Sequence, residues 1–314
     1  MSAEPRFLVT GAHGCVGAWV VAELVDAGAP VVTFDLSATP RRLELLLGDG
    51  AAAVPHVTGD IGDLPALERA LDDHGITNVI HLAALQVPLV RAAPPAGARV
   101  NVVGTVNVFE AAARRGLAPV VYASSIAAYD ADGTFDRHPA TLYGVFKRAN
   151  EATAEVYLAE SGVASVGLRP HTVYGVGRDQ GLTSAPTVAM LAAAAGTPYT
   201  ISYGGRARLQ LARDVARAFV QASLAGATGA EVHDLPGETV TIAEVVAAIR
   251  EAAPDALVGY EGDPLPFPAD LDSSSFEALL PTFEHTPLRR GVAETVERFR
   301  GLLAQGLLSA SAGA

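Results

Sequence analysis

The chain has 314 residues, of which half are hydrophobic and 18% charged, and its 22 basic against 34 acidic residues give a formal net charge of −12. That much apolar surface excludes general disorder, and the acidic balance argues against a nucleic-acid partner, which would need a basic face against phosphates. No apolar run approaches the roughly 18–20 residues that span a bilayer; the longest clean one, residues 185–196, is short and alanine-rich.

In chain order, short β-branched runs alternate with alanine-rich stretches of helical period. The runs Arg6–Thr10, Pro30–Asp35, Ala53–Thr58, Asn78–Leu82, Pro119–Ala123 and Ser165–Arg169 read as strands. Helices are expected near Gly17–Ala27, Leu64–His74, Asn101–Arg115 and Leu142–Ser161. Strands of four to six residues joined by helices of ten or more imply crossover units, hence a parallel, doubly wound α/β sheet with ligands beyond its carboxyl edge. After Arg169 the rhythm changes. Residues 171–205 read as loops around one alanine-rich helix, and a helix (Arg213–Ala225) and a strand (Glu231–Leu235) return to the main sheet. Residues 254–290 hold six prolines and few regular patterns, which suggests a small substrate-capping region. A last helix is expected over Arg290–Gln305 with a frayed tail behind it. The expected division is thus a dinucleotide-binding domain over 1–170, with 206–252 returning to it. Residues 171–205 and 253–290 would bind substrate, and 291–314 would form the C-terminal helix and tail.

With Cys15 as the only cysteine, an intrachain disulfide is impossible. A strand beginning at Arg6 leaves no room for a targeting peptide, so the expectation is a soluble, cytoplasmic protein without membrane or nucleic-acid partners.

The first strand runs into Gly11-Ala12-His13-Gly14-Cys15-Val16-Gly17, after which a helical pattern opens. Glycines at this spacing let backbone approach a pyrophosphate, and the helix start supplies N–H groups and a positive dipole end. A tight turn alone would also explain the pattern, but its place after the first strand favours a dinucleotide. His13 and Cys15 read as filler in that loop rather than as acid–base or redox groups. Asp35 ends the second strand, where a carboxylate accepts from both ribose hydroxyls and repels a 2′-phosphate. NAD is therefore expected over NADP, although Arg41 and Arg42 keep NADP open. Asp60 ends the third strand, where an adenine would be approached.

Of the 22 basic residues only Lys147 is a lysine, and it lies four after Tyr143 in Tyr143-Gly144-Val145-Phe146-Lys147. On a helix those two heads share one face. A free phenol titrates near pH ~10, and an adjacent cation favours the phenolate. That pair suits removal of a hydroxyl proton while hydride leaves carbon for a nicotinamide. Only eight tyrosines occur in the chain, so chance explains the pairing poorly. Ser124-Ser125 ends the fifth strand, where a hydroxyl can hold a substrate oxygen toward Tyr143, though a serine pair there is also an ordinary cap.

Together these residues resemble the extended short-chain dehydrogenase/reductase family, in its NAD-dependent epimerase/dehydratase branch. The resemblance spans nearly the whole chain and rests on GAHGCVG at 11–17, Asp35, GDIGD at 59–63, HLAA at 81–84, NVVGT at 101–105, YASSIAAY at 122–129, YGVFK at 143–147, LRPHTVYG at 168–175 and RDVARAF at 213–219. It implies Tyr143 as general acid/base, Lys147 as its partner and cofactor ribose ligand, and Ser125 as the catalytic hydroxyl, being four before Tyr129. Asn101 would support a proton relay. The NAD site would take in Gly11, His13, Gly14, Cys15, Val16, Gly17, Asp35, Asp60, Ile61, Leu82, Ala83, Ala84, Lys147 and Pro170, with His81 bordering the pyrophosphate. Substrate would meet Gln86, Ser124, Ser125, Tyr143, His171, Thr172, Arg178 and Arg206. A homodimer through Asn101–Arg115 and Leu142–Ser161 is implied too.

Departures from the family pattern bear on the substrate. Nucleotide-sugar epimerases carry an asparagine after the sixth strand and two arginines for the diphosphate. Those places read Thr172, Ala207 and Ala269 here, with Arg206 and Arg208 flanking the second. Losing two charged ligands costs several kcal/mol, at roughly 1.5–3 kcal/mol per charged hydrogen bond. Thr172 with the following VYG is similar to some uronate epimerases. Arg178 could bind a carboxylate or phosphate, or simply pair with Asp179. The resulting expectation is an NAD-dependent sugar epimerase or oxidoreductase acting on a secondary alcohol of a sugar or nucleotide-sugar. The alternative is a dehydrogenase of a small unphosphorylated sugar, uronic acid or hydroxy acid that releases NADH. A non-catalytic NAD sensor is the reading from another class, but it would have no use for Tyr143 and Lys147.

Overall fold

A computed structural model describes residues 4–117, 119–181 and 183–309. Its elements, in chain order, begin with β1 (Phe7–Thr10), α1 (Cys15–Asp26), β2 (Val31–Asp35), α2 (Arg41–Leu47), β3 (His56–Thr58), α3 (Leu64–Asp73) and β4 (Asn78–His81). There follow α4 (Val87–Ala92), α5 (Pro94–Ala98), α6 (Gly104–Arg115), β5 (Val120–Ala123), α7 (Leu142–Ser161), β6 (Ser165–Arg169) and β7 (Thr172–Tyr174). The remainder comprises α8 (Ala185–Ala195), β8 (Tyr199–Ile201), β9 (Arg206–Leu211), α9 (Ala212–Ala222), β10 (Ala230–Asp234), β11 (Glu238–Thr241), α10 (Ile242–Ala252), β12 (Val258–Tyr260), α11 (Ser274–Leu279) and α12 (Leu288–Ala304).

Seven strands form one sheet in the order β10-β6-β5-β4-β1-β2-β3, and every pairing in it is parallel. Strands β1, β4 and β6 are buried along their whole length, as central strands covered on both faces must be. The order reverses between β1 and β4, so the carboxyl ends of those strands open the crevice in which such folds bind ligands. This is the expected Rossmann-type doubly wound sheet.

Two features set the helices that frame the crevice. Thr141 caps α7 by accepting from the Gly144 N–H at 3.1 Å. A side chain at Gly144 would collide with the Ala127 carbonyl, so only glycine lets the start of α7 press on the turn after Ser125. The helix expected from Asn101 opens instead with a π turn over Arg99–Val103, and α6 proper starts at Gly104.

Residues 206–252 divide between two cores. Helix α9 packs on α1, and β10 pairs with β6, as the return to the main sheet requires. Strands β9 and β11 instead join β7 in a second, three-stranded sheet, and α10 packs with α8 and α12. The sequence reading missed α2, α4, α5, β9, β11 and α10, and residues 171–205, expected as loops around one helix, also carry the short strands β7 and β8. The proline-rich 254–290 segment contributes a strand (β12, paired with β8) and the short α11. From residue 310 on, the expected frayed tail lies outside the described residues. Among the described residues, no helix is long and apolar enough to cross a membrane.

Candidate active site

A single cleft lies over the carboxyl ends of β1, β4, β5 and β6 and is roofed by the 264–268 segment. On one side stand Gly11, Gly14, Cys15, Val16 and Gly17, on the other Ser125, Tyr143 and Lys147. Leu82, Ala84, Gln86, Ser124, Pro170, His171, Thr172, Arg178 and Arg206 also line it. Seventeen of the residues expected at the site from sequence thus share one cavity wall.

The glycine loop is built for close approach. Gly11 has φ +67°, and a Cβ there would lie 2.5 Å from the Ala83 nitrogen; at Gly17 it would collide with the Gly11 carbonyl. Helix α1 starts after Gly14 with no side-chain cap, so its first N–H groups are left for an anion. Asp35 accepts the His13 N–H on Oδ2 and the Ser37 N–H on Oδ1, each at 2.9 Å, which fixes the carboxylate and leaves a lone pair on each oxygen for a diol. These residues fit a dinucleotide. Arg42 does not offer itself to a 2′-phosphate: it donates to the Gly177 carbonyl (2.9 Å), the His13 carbonyl (3.0 Å) and Asp179 (2.6 Å).

Other expected cofactor residues stand behind this surface. His13 is buried, its ring stacked on His56 at 4.5 Å, and Ala83 presses on Gly11. Asp60 pairs with Arg99 at 2.9 Å and accepts the Gly62 N–H, while Ile61 is buried against Gly104. His81 is buried between the hydroxyls of Thr10 (2.7 Å) and Thr105 (3.1 Å), and burial pushes it down to about 3, so it is a neutral strut. The Asn101 side chain is spent on the Leu85 backbone, donating to its carbonyl and accepting its N–H.

Around the reacting position, burial pushes the Tyr143 phenol upward, and a hydrogen bond from Ser125 and the charge of Arg178 pull against that shift. Lys147 is buried; its ammonium donates to the Ala123 carbonyl at 2.6 Å and lies 5.5 Å from the centre of the Tyr143 ring. Burial lowers Lys147 to about 8, and the Glu151 carboxylate works the other way. The Ser124 hydroxyl is taken up by Glu151, to which it donates, and Glu151 also takes both arms of Arg169, at 2.7 and 2.8 Å. Ser125 keeps its hydroxyl at the cleft, although it also accepts the Ala127 N–H.

The three cleft arginines differ in what remains of their charge. Arg206 is paired with both oxygens of Asp270, at 2.5 and 3.0 Å. Arg208 is buried and donates to the Leu235 and Leu271 carbonyls and the Thr239 hydroxyl. Arg178 meets only neutral oxygens, of Gln86 (3.2 Å) and Thr183 (2.9 Å), and its Nε is buried without a partner. The cap adds Leu265, Phe267 and Pro268, apolar residues that sequence reasoning did not single out because nothing in a proline-rich loop marks which side chains turn inward.

The sequence pattern of the NAD dependent epimerase/dehydratase family matches residues 7–242. The chain belongs to that family. NAD is the family's cofactor, and the cleft residues fit it. The chain is 35% identical to a UDP-glucose 4-epimerase of Azospirillum brasilense over 181 residues, which is 55% of this chain and 51% of that protein. The match thus spans about half the length of that relative. A Thermus thermophilus UDP-glucose 4-epimerase in complex with NAD superposes with a TM-score of 0.80 at 28% identity, over 94% of this chain and 99% of that one. An L-threonine dehydrogenase from Cupriavidus necator does so with 0.79 at 26%, over 93% and 99%. An epimerase and a dehydrogenase thus share this fold.

Proposed function

We propose that this family member oxidises a secondary alcohol of a small sugar acid, with Tyr143 as the base and the substrate carboxylate held by Arg178. The observation that carries this reading is the charge state of the cleft arginines. A nucleoside diphosphate needs several unspent cations, whereas one half-buried guanidinium without a counter-charge matches one carboxylate. Across the cleft, Ser125 donates to the alcohol oxygen and Tyr143, as phenolate, takes its proton. Lys147, 5.5 Å from the centre of the Tyr143 ring, adds positive charge on the side of the phenol, which favours the phenolate along with the hydrogen bond from Ser125 and the charge of Arg178. Bound NAD supplies the hydride acceptor. The apolar cap residues keep water from the reacting carbon.

A second reading keeps the same residues and returns the hydride to the other face of the ketone, giving epimerisation without net redox. Family membership and the epimerase relative favour it. Chemistry of either kind uses Tyr143 and Lys147, which a non-catalytic NAD sensor would not need. A homodimer through α6 and α7 belongs to the proposal as well: Leu142, Val145 and Val156 on α7 and Val103 just before α6 are all exposed valines or leucines.

The test follows reduced-nicotinamide absorbance in the purified protein with excess NAD, adding free uronic acids and neutral sugars and then UDP-sugars. NADH accumulating far beyond the enzyme with uronic acids supports the sugar-acid dehydrogenase. Product formed while NADH never exceeds one equivalent per site supports the epimerase. Turnover of UDP-sugars alone removes the sugar-acid reading.

A further inference from the structure

His171 lies two residues beyond the last residue of β6 and lines the cleft. Its backbone is pinned, since its N–H donates to Gln210 at 2.8 Å and the Gln210 amide donates in turn to the Leu235 and Pro236 carbonyls. Its ring is almost wholly buried, with 1% of the side chain exposed, yet neither ring nitrogen has a hydrogen-bond partner. Nε2 faces the Asp234 carboxylate with 3.6 Å to Oδ1, an oxygen that also lacks a partner. The other Asp234 oxygen is held by the Tyr129 hydroxyl at 2.6 Å and by Arg169 at 3.4 Å. Asp234 is therefore fixed, with its free oxygen beside the imidazole.

Burial lowers the pKa of this ring, the Asp234 carboxylate pulls the other way, and the charges of Arg208 and Arg169 add to the lowering, so the neutral form is favoured. A neutral imidazole carries one proton, and the carboxylate beside Nε2 draws it there. Nδ1 is left as a bare lone pair. A buried acceptor without a donor keeps its full desolvation penalty, so the site is complete only when a donor arrives. Phosphate and carboxylate oxygens have no proton to give and would meet both this lone pair and the negative charge of Asp234. A hydroxyl group does have one.

We propose that His171 Nδ1 accepts a hydrogen bond from a second hydroxyl of the substrate, one that is not oxidised, so that His171 determines specificity for a polyhydroxylated acid. This rests on the sugar-acid reading above and extends it from one anchoring group to two. Arg178 takes the carboxylate, His171 takes a hydroxyl, and the alcohol that reacts lies at Ser125 and Tyr143. A hydroxy acid with a single hydroxyl would leave Nδ1 unpaired and bind poorly.

The experiment uses a Tyr143→Phe background loaded with NAD, so that ligand binds without turning over, and titrates D-glucuronate and D-galacturonate calorimetrically. His171→Leu removes the acceptor, whereas His171→Asn keeps an acceptor oxygen and a donor of similar placement. Leucine is expected to weaken binding by roughly 10- to 100-fold and asparagine by less than about threefold. One monodeoxy uronate should bind the parent as weakly as the full acid binds the leucine variant, with no further loss in that variant. NADH affinity, measured by fluorescence, should stay the same in all three proteins and shows that the fold is kept. Unchanged uronate binding in His171→Leu overturns the assignment and leaves the sugar-acid reading intact. Equal losses in the leucine and asparagine variants for the acids and every deoxy analogue also overturn it, because that is the signature of a structural role. Absence of uronate binding even in the parent overturns the sugar-acid reading itself, and the His171 assignment with it.

Discussion

Asp179 gives its carboxylate to Arg42, at 2.6 Å across the cleft edge, and not to its sequence neighbour Arg178. Arg42 sits on α2, beside the cofactor side of the crevice, and also holds the carbonyls of Gly177 and His13. The pairing with Asp179 that the sequence allowed for Arg178 is therefore taken, and among the described residues no carboxylate pairs with Arg178. The same clasp fastens the 175–181 loop to the glycine loop, helped by Trp19, whose indole N–H donates to the Val176 carbonyl at 2.9 Å.

Arg178→Gln should therefore raise KM for a carboxylate substrate by roughly 10- to 100-fold, the worth of one charged hydrogen-bonding group. Affinity for NADH should change little, because the glycine loop and Asp35 are untouched. Steady-state kinetics beside a fluorescence titration separate the two. An unchanged KM would mean that the substrate anion, if there is one, binds elsewhere.

Tyr143→Phe should abolish turnover and leave NAD affinity nearly unchanged, since in the proposed reaction the phenol oxygen takes the proton. Loss of one acid–base group costs about 10²–10⁴-fold, and here the base has no understudy: Ser125 is a donor in the proposed step and Lys147 is spent on the Ala123 carbonyl. Retained activity in the variant would move the base to another residue.

How far these conclusions were open to a reader of the sequence depends on contact range. Strands β1, β2, β4, β5 and β6 begin within a residue or two of where their β-branched runs begin, because a strand buried on both faces is apolar throughout. Tyr143 and Lys147 were legible for a similar reason, as helical spacing alone puts them on one face. Strand β9 was not. It reads Arg-Ala-Arg-Leu-Gln-Leu, with Arg208 and Gln210 buried by partners on β10–β11 and in the cap, and such partners leave no local trace. Nor was the role of Arg42, whose bond to Gly177 joins residues 135 apart in sequence. Asn101 and Asp60 sit where the family resemblance suggests a relay or cofactor role, and the structure gives each side chain partners that the sequence does not mark, the Leu85 backbone for the first and Arg99 with the Gly62 N–H for the second.

The exposed apolar stripe on α7 bears on assembly. Val145 and Val156 are eleven residues apart, close to three full turns, so they lie on one face, with 40% and 50% of their surface exposed. Val156→Glu puts a charge into that stripe, which a two-fold interface would bring against its own copy. The expected result is a shift from dimer to monomer in sedimentation or light scattering, with the melting temperature of the isolated chain little changed. A protein already monomeric before the substitution removes the proposed interface.

Lys147 makes the last prediction, one in which stability and catalysis oppose each other. Its ammonium is buried and held at about 8 instead of the usual 10.5, so folding must desolvate a charge. Between pH 8 and 10.5 the unfolded chain binds this proton and the folded one does not. Stability owed to this group therefore rises with pH across that window, and below it the cost of the buried charge is paid in full. A shift of that size corresponds to about 3 kcal/mol at about 1.4 kcal/mol per unit, reduced by the hydrogen bond to Ala123 that the wild type keeps. Lys147→Met should accordingly melt at a higher temperature than the wild type in the cofactor-free protein at pH 7, while losing turnover. The gap between the two should narrow as pH is raised from 8 toward 10.5. Thermal melts of both proteins at pH 7 and pH 9.5 measure it, and a methionine variant less stable at pH 7 would show that the Ala123 bond outweighs the buried charge.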